Sequence, residues 1–341
     1  MISNKALLGI LFFINSLLSV YSSPAKKGND VTDLKPKTAR IVGYLSVDNF
    51  SKMTSIQFCK LTHLNIAFAN PDKNGNIIFT GDIDALVKYA RSANPNIIIS
   101  ISLAGGVISE EQASNWSWLI DQPENRPVLI QNIINFVALH HLDGVDIDLE
   151  WNAVTIGYSD FVIELKKSLS EHKKIMTAAL PNTTRFENIS TTALDAFDFL
   201  NIMAYDSTGP WTPNNPGQHS SFDFAVNGID FWHKMQNVPS EKLTLGVPFY
   251  GYNFTFPDVT SSTYGQIVEI GKQFADLDEL GKIYYNGRPT ISKKVEYAVQ
   301  NTGGIMIWEL AQDSFDEYSL LEVIHKKFNS MKIKTTGLCN N

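Results

Sequence analysis

"LDGVDIDLEW", residues 142–151, is the stretch on which the fold turns. It carries four acids, Asp143, Asp146, Asp148 and Glu150, among the apolar residues Val145, Ile147 and Leu149. Consecutive strand residues point to opposite faces of a sheet. As a strand, the segment therefore puts Asp146, Asp148 and Glu150 on one face and the three apolar side chains on the other. In a barrel the apolar face meets the surrounding helices and the acids point inward. Glu150 comes last, at the C-terminal end of the strand, where barrels of this kind carry their active sites. Asp143 has the opposite parity, which predicts a structural role at the strand entrance.

Three acids on one inward face are electrostatically costly, because burial and like charge both oppose ionisation. A proton shared between Asp146 and Asp148 in a mutual hydrogen bond would relieve the cost. Glu150 would then have a raised pKa and remain a proton donor near neutral pH, as a general acid must. The competing explanation is a bound Ca²⁺ or Mg²⁺, since hard cations favour carboxylates. Alternate strand positions aim in one direction and do not wrap an ion, so no metal is expected.

Working outward, short β-rich apolar runs alternate with longer amphipathic stretches from Ala39 onward. Strands are expected at residues 40–47, 61–68, 96–103, 144–151, 174–180, 197–205, 242–250 and 303–310. Between them, "RPVLIQNIINFVALHH" and "YSDFVIELKKSLSEH" have apolar residues at helical spacing. Strand–helix alternation implies a parallel sheet with helical crossovers. Eight strands in roughly 290 residues give an α/β fold, a (β/α)8 TIM barrel forming a single domain over residues 39–331. About fifty residues separate "GVPFYG" from "GGIMIWEL". Within them "NFTFPDVTSSTYGQI" reads as a loop on the barrel rim.

The 341 residues are 44% hydrophobic and 18% charged, with a net charge of -7. The acidic balance, without a basic cluster, argues against a nucleic-acid partner. No phosphate-binding glycine loop is present, and no cofactor is expected. Cys59 and Cys339, the only cysteines, read as free thiols, and the seven His residues show no zinc spacing. At the N-terminus, Lys5 precedes "ALLGILFFINSLLSV" and the small residues of "YSSPA". This matches a secretory signal over residues 1–22, with cleavage near Ser22 or Ser23. An uncleaved anchor is the alternative, but the run is shorter than the roughly 20 apolar residues of a spanning helix. Residues 23–38 read as a polar linker and 332–341 as a tail.

The central stretch is similar to the strand-four signature of glycoside hydrolase family 18 chitinases. Other strands agree in order: "SLAGG" at 102–106, "MAYDSTGPW" at 203–211, "GVPFYG" at 246–251 and "GGIMIWEL" at 303–310, with Gly43-Tyr44 and Ala67-Phe68 fitting strands one and two. The chain departs from many members at Ala104, where Gly is common, and at Tyr252, where Arg is common. The fifty-residue connection is too short for the α+β domain that larger members insert, so the resemblance is to compact members with a shallow groove. It implies chitin or N-acetylglucosamine oligosaccharides as partners; the leader and the acidic charge add the expectation of a secreted protein, extracellular or periplasmic, that binds neither membrane nor nucleic acid and is a monomer. It also implies hydrolysis assisted by the substrate's own acetamido group. Glu150 would be acid and base, Asp148 would steady the oxazolinium, Asp146 would share the proton, and Tyr205 and Asp206 would hold the substrate. Tyr44, Phe68 and Met203 would line the pocket, Trp308 would floor it, and Trp211 would offer a product-side platform. The resemblance leaves open two other activities: an endo-β-N-acetylglucosaminidase acting on N-glycans, and a non-catalytic chitin-binding lectin.

Overall fold

The computed structural model describes residues 38–255 and 258–333. The expected signal segment, most of the linker, most of the tail and Cys339 lie outside the described residues. Eight parallel strands close on themselves: β1 (Arg40–Ser46), β2 (His63–Pro71), β3 (Ile98–Ala104), β4 (Gly144–Asp148), β5 (Ile175–Pro181), β6 (Phe199–Met203), β7 (Leu243–Pro248) and β8 (Gly304–Trp308). Neighbours in the sheet are neighbours in sequence, and β8 returns to β1. The fold is a (β/α)8 TIM barrel.

Side-chain parity divides the barrel into two apolar layers. Ile41, Leu45, Val145, Ile147, Leu200 and Leu245 belong to the outer core, between strands and helices. The helix Tyr158–Glu171 shows why that layer is stable. Its buried residues Tyr158, Phe161, Val162, Leu165 and Leu169 recur at helical spacing. Each fully buried apolar side chain of this size contributes about 1.5–3 kcal/mol. Val42, Tyr44, Phe199, Tyr205 and Met306 form a second, inner cluster, with Tyr250, Tyr252 and Phe254 at its upper end.

The barrel centre also buries Asn65, Ser100, Ser102, Asp146, Thr177, Asn201 and Thr244. Buried polar groups are tolerated when they satisfy one another, and the register permits this. Ser102 on β3 and Thr177 on β5 stand directly beside Asp146 on β4.

The connection between β7 and β8 differs from the expected loop. It contains a four-stranded antiparallel sheet built from Tyr250–Asn253, Thr260–Thr263, Glu279–Leu280 and Ile283–Tyr284, and the helix Tyr264–Ile270. Thr263 starts that helix with a capping box, its hydroxyl accepting from Gln266 N–H. The sheet's strands are two to four residues long, too short for a periodic apolar pattern to betray them. A further short strand, Ile77–Ile78, folds back on the end of β2. Among the described residues no helix is long and apolar enough to cross a membrane.

Candidate active site

Glu150 lies two residues beyond Asp148, the last residue of β4, and remains extended, with φ -120° and ψ 160°, before the turn Trp151–Ala153. It therefore continues the inward parity of Asp146 and Asp148 beyond the end of the ladder. The turn after β3 reaches towards it. Ala104 and Gly105 have φ of 78° and 92°, and Gly105 N–H is bonded to the Asp148 carbonyl at 3.0 Å. Ala104 thus takes the left-handed conformation that explains a preference for glycine there. Next in the turn, a Cβ on Gly106 would lie 2.7 Å from Glu150 Oε1. A side chain there would push the Glu150 carboxyl out of this position.

The two buried aspartates differ sharply. Asp146 Oδ2 accepts from Tyr44 and Ser102, each at 2.7 Å. Its Oδ1 accepts from Thr177 at 2.5 Å and Asn201 at 3.4 Å. Burial raises its pKa, and these four donors oppose the rise. Asp148 Oδ1 is buried without a hydrogen-bond partner. Its pKa lies well above the ordinary value because of burial, with added repulsion from Glu150 and Asp146. Asp146 does not depend on a proton shared with Asp148 for its hydrogen bonds. Asp146 is instead saturated by donors from other strands.

Glu150 is pushed up to about 7, first by burial and then by the charge of Asp206. Asp206 follows β6 with φ 67°, a conformation uncommon outside glycine. Its Oδ1 accepts from Tyr250 at 2.5 Å and Tyr252 at 3.0 Å. Neither tyrosine was singled out as a site residue by the sequence, although Tyr252 marked a departure. Tyr205 places its hydroxyl 3.8 Å from the weak acceptor Met306 Sδ.

Trp308 is half-buried at the end of β8, with its ring 5.4 Å from Phe68 in a stacked arrangement and 5.6 Å from Tyr44. Met203 and Phe68 pack half-buried on the inner cluster. Trp211 is 56% exposed and meets Tyr252 edge-on at 5.6 Å. Asp143 lies at the other end of β4, where it accepts from Arg91 at 3.0 Å and from Ile99 N–H at 2.8 Å. Among the described residues, no group of three or more His, Cys, Asp or Glu side chains is placed to hold a metal ion.

This arrangement presents an acid whose pKa is raised to about 7, an unpartnered oxygen beside it and aromatic faces at the C-terminal mouth of a barrel. The model for glycosyl hydrolases family 18 matches residues 40–313. The chain belongs to that family. It is 74% identical to the family-18 chitinase ChiB from the chitin utilization locus of Flavobacterium johnsoniae, with a TM-score of 0.88 over 89% of this chain and 98% of that one. A chitinase from Bacteroides thetaiotaomicron is 31% identical, with a TM-score of 0.74, covering 85% and 96% of the two chains. The endochitinase of Manduca sexta is 28% identical over 227 residues. That match spans 59% of this chain and 39% of the longer relative. This family-18 chain is a glycoside hydrolase of the chitinase type.

Proposed function

We propose that the chain hydrolyses β-1,4 bonds between N-acetylglucosamine units of chitin, with retention, by substrate-assisted catalysis. The carrying observation is the pairing of Glu150, held near pKa 7, with the unpartnered Asp148 Oδ1 beside it. Glu150 gives its proton to the glycosidic oxygen as the C–O bond breaks. The acetamido carbonyl oxygen attacks the anomeric carbon, a proximity effect that replaces an enzyme nucleophile. The resulting oxazolinium carries its positive charge next to the acetamido N–H, for which Asp148 Oδ1 is an acceptor. Water then attacks the same carbon, Glu150 takes its proton, and the ring opens. Two inversions give net retention.

Tyr205, with only a sulfur near its hydroxyl, is available to the acetamido oxygen. Asp206 addresses the substrate from the same strand end. Trp308 offers an indole face to the sugar whose bond is cut, and Trp211 extends the aromatic surface towards the product side. Secretion is part of the same reading and rests on the N-terminal leader pattern.

Fully deacetylated glucosamine oligomers have no internal nucleophile and should not be cleaved. A thiazoline analogue of the cyclic intermediate should inhibit competitively. Efficient hydrolysis of pure glucosamine oligomers by the purified protein would overturn the mechanism. Preferential cleavage of a high-mannose glycoprotein over chitin oligomers would overturn the substrate.

A further inference from the structure

Lys294, on the helix Arg288–Asn301, is fully buried. Its ammonium donates to Ser220 O, Ser220 Oγ and Asn286 Oδ1, each at 2.7 Å. All three acceptors are neutral. A buried cation without a hydrogen-bonded anion is costly, and burial lowers this amine to about 7. The group it holds leads directly to the active site. Ser220 Oγ donates to Ala204 O at 2.6 Å. The neighbouring His219 accepts at its carbonyl from Ser207 N–H at 3.0 Å.

His219 is itself completely buried. Its Nε2 lies 3.3 Å from Tyr250 O, and its Nδ1 lies 3.3 Å from Asp206 N. A carbonyl can only accept, so Nε2 carries a proton, while Nδ1 faces both Asp206 N–H and, at 3.4 Å, Asp206 Oδ1. Tyr250 is thus tied to Asp206 twice, through its own hydroxyl and through His219. The segment Ala204–Ser207 is held from behind at three successive places. Such support is what a non-glycine residue at φ 67° needs in order to persist.

We propose that His219 and Ser220, backed by Lys294, form a brace that positions Tyr205 and Asp206 against Glu150. These are positioning residues, because they act through Asp206 and do not touch the reacting atoms. The proposal rests on the catalytic reading of Glu150 and Asp206 given above. The ionisable groups facing Glu150 are Asp148 from β4 and, from the segment after β6, Tyr205 and Asp206, and Asp146 faces Asp148 in turn. Tyr250, Tyr252 and His219 face Asp206 in turn. If the brace loosens, Asp206 moves away and its charge acts less on Glu150. The Glu150 proton is then lost at lower pH.

The test is the pH dependence of chitotetraose cleavage by His219→Ala and Lys294→Met, with thermal melting measured alongside. We expect kcat to fall on the order of 10–10²-fold, the cost of a misplaced catalytic group, and the basic limb to move to lower pH. In an Asp206→Asn background, His219→Ala should shift the limb no further, because the residue through which it acts has lost its charge. Ser220→Ala removes a single hydroxyl and should give the same effects in milder form, which covers the case of a larger substitution that fails to fold. Melting temperatures that fall while kcat and the basic limb stay at wild-type values would show a brace for stability alone and overturn the inference. A ¹³C NMR titration of the Glu150 carboxyl in the wild type and Ser220→Ala needs no turnover. A lowered Glu150 titration in the variant supports the brace even if chitin proves not to be the substrate, and an unchanged one overturns it.

Discussion

Tyr44 donates its hydroxyl to Asp146 Oδ2 at 2.7 Å, and Tyr44 in turn accepts from Asn201 at 3.1 Å. Asn201 accepts from Thr244 at 2.6 Å. The chain of bonds links β1, β4, β6 and β7 across the barrel centre and fixes Asp146 as an acceptor. Asp148, two residues along the same face, is left with an unpartnered oxygen. Two acids that look equivalent in sequence thus differ in their surroundings: one is saturated by protein donors, the other keeps an oxygen without a partner.

Asp148→Asn should therefore damage catalysis far more than Asp143→Asn. The first replaces the acceptor beside Glu150 with an amide that can present a donor instead. Its expected loss is on the order of 10²-fold or more in kcat, comparable to removing one preorganised transition-state contact. The second weakens a half-exposed pair with Arg91 while still offering an oxygen to Ile99 N–H. It should cost about 1 kcal/mol of stability or less and leave kcat unchanged. Equal losses of kcat in the two variants would refute the assignment.

Asp146→Asn tests the saturated carboxylate. Four donors converge on its two oxygens, and an amide turns one oxygen into a further donor. Leaving a buried hydroxyl without an acceptor costs about 1–3 kcal/mol, so the melting temperature should fall. The charge that helps to raise the Asp148 pKa is also removed. The pH–rate profile should shift along with the loss of stability. Unchanged melting and an unchanged profile together would contradict the role derived for Asp146.

Period-two parity alone placed Asp146, Asp148 and Glu150 on one inward face and Glu150 at the mouth, because alternation is a local property of the chain. Parity says which residues share a face, not which donors reach them. Tyr44, Ser102, Thr177 and Asn201 come from four other strands, and only strand order and register bring them to Asp146. For the same reason parity does not show that four donors satisfy Asp146 without a proton shared with Asp148. Tyr250, Tyr252 and His219 were missed as partners of Asp206 because they lie 13 to 46 residues away along the chain. Tyr252 at a position where Arg is common was the one available signal. Thr260–Thr263 falls within the stretch expected as a loop, and the other strands of the small sheet pass without a signal, because strands of two to four residues leave no periodicity to read.

Treatment with EDTA should leave activity intact. Asp146 has both oxygens occupied by protein donors, Asp206 Oδ1 accepts from Tyr250 and Tyr252, and among the described residues no three such side chains surround a common centre. Hard cations require six or more oxygen ligands in a surrounding shell. Activity lost to chelation and restored by Ca²⁺ or Mg²⁺ would refute the metal-free account.

Glu150→Gln separates the chemistry of the acid from its cost to the fold. Removing the titrating proton should lower kcat on the order of 10²–10⁴-fold, with chitin-oligomer binding retained. Wild-type turnover in the purified variant would end the assignment. Stability should move the other way. Glu150 has a folded pKa near 7 against an ordinary 4.5, so the folded state binds the proton more tightly than the unfolded chain. The stability this contributes is fully present below pH 4.5 and is lost as pH rises through about 7. Above pH 7 the wild type holds a buried anion whose ionisation costs on the order of 3 kcal/mol, and the amide has no such penalty. Melting temperatures measured from pH 4 to pH 8 should show the two proteins close together in acid. The variant should pull ahead as pH rises, over the same window in which wild-type activity declines. A constant gap across that window would mean that burial does not hold the Glu150 proton.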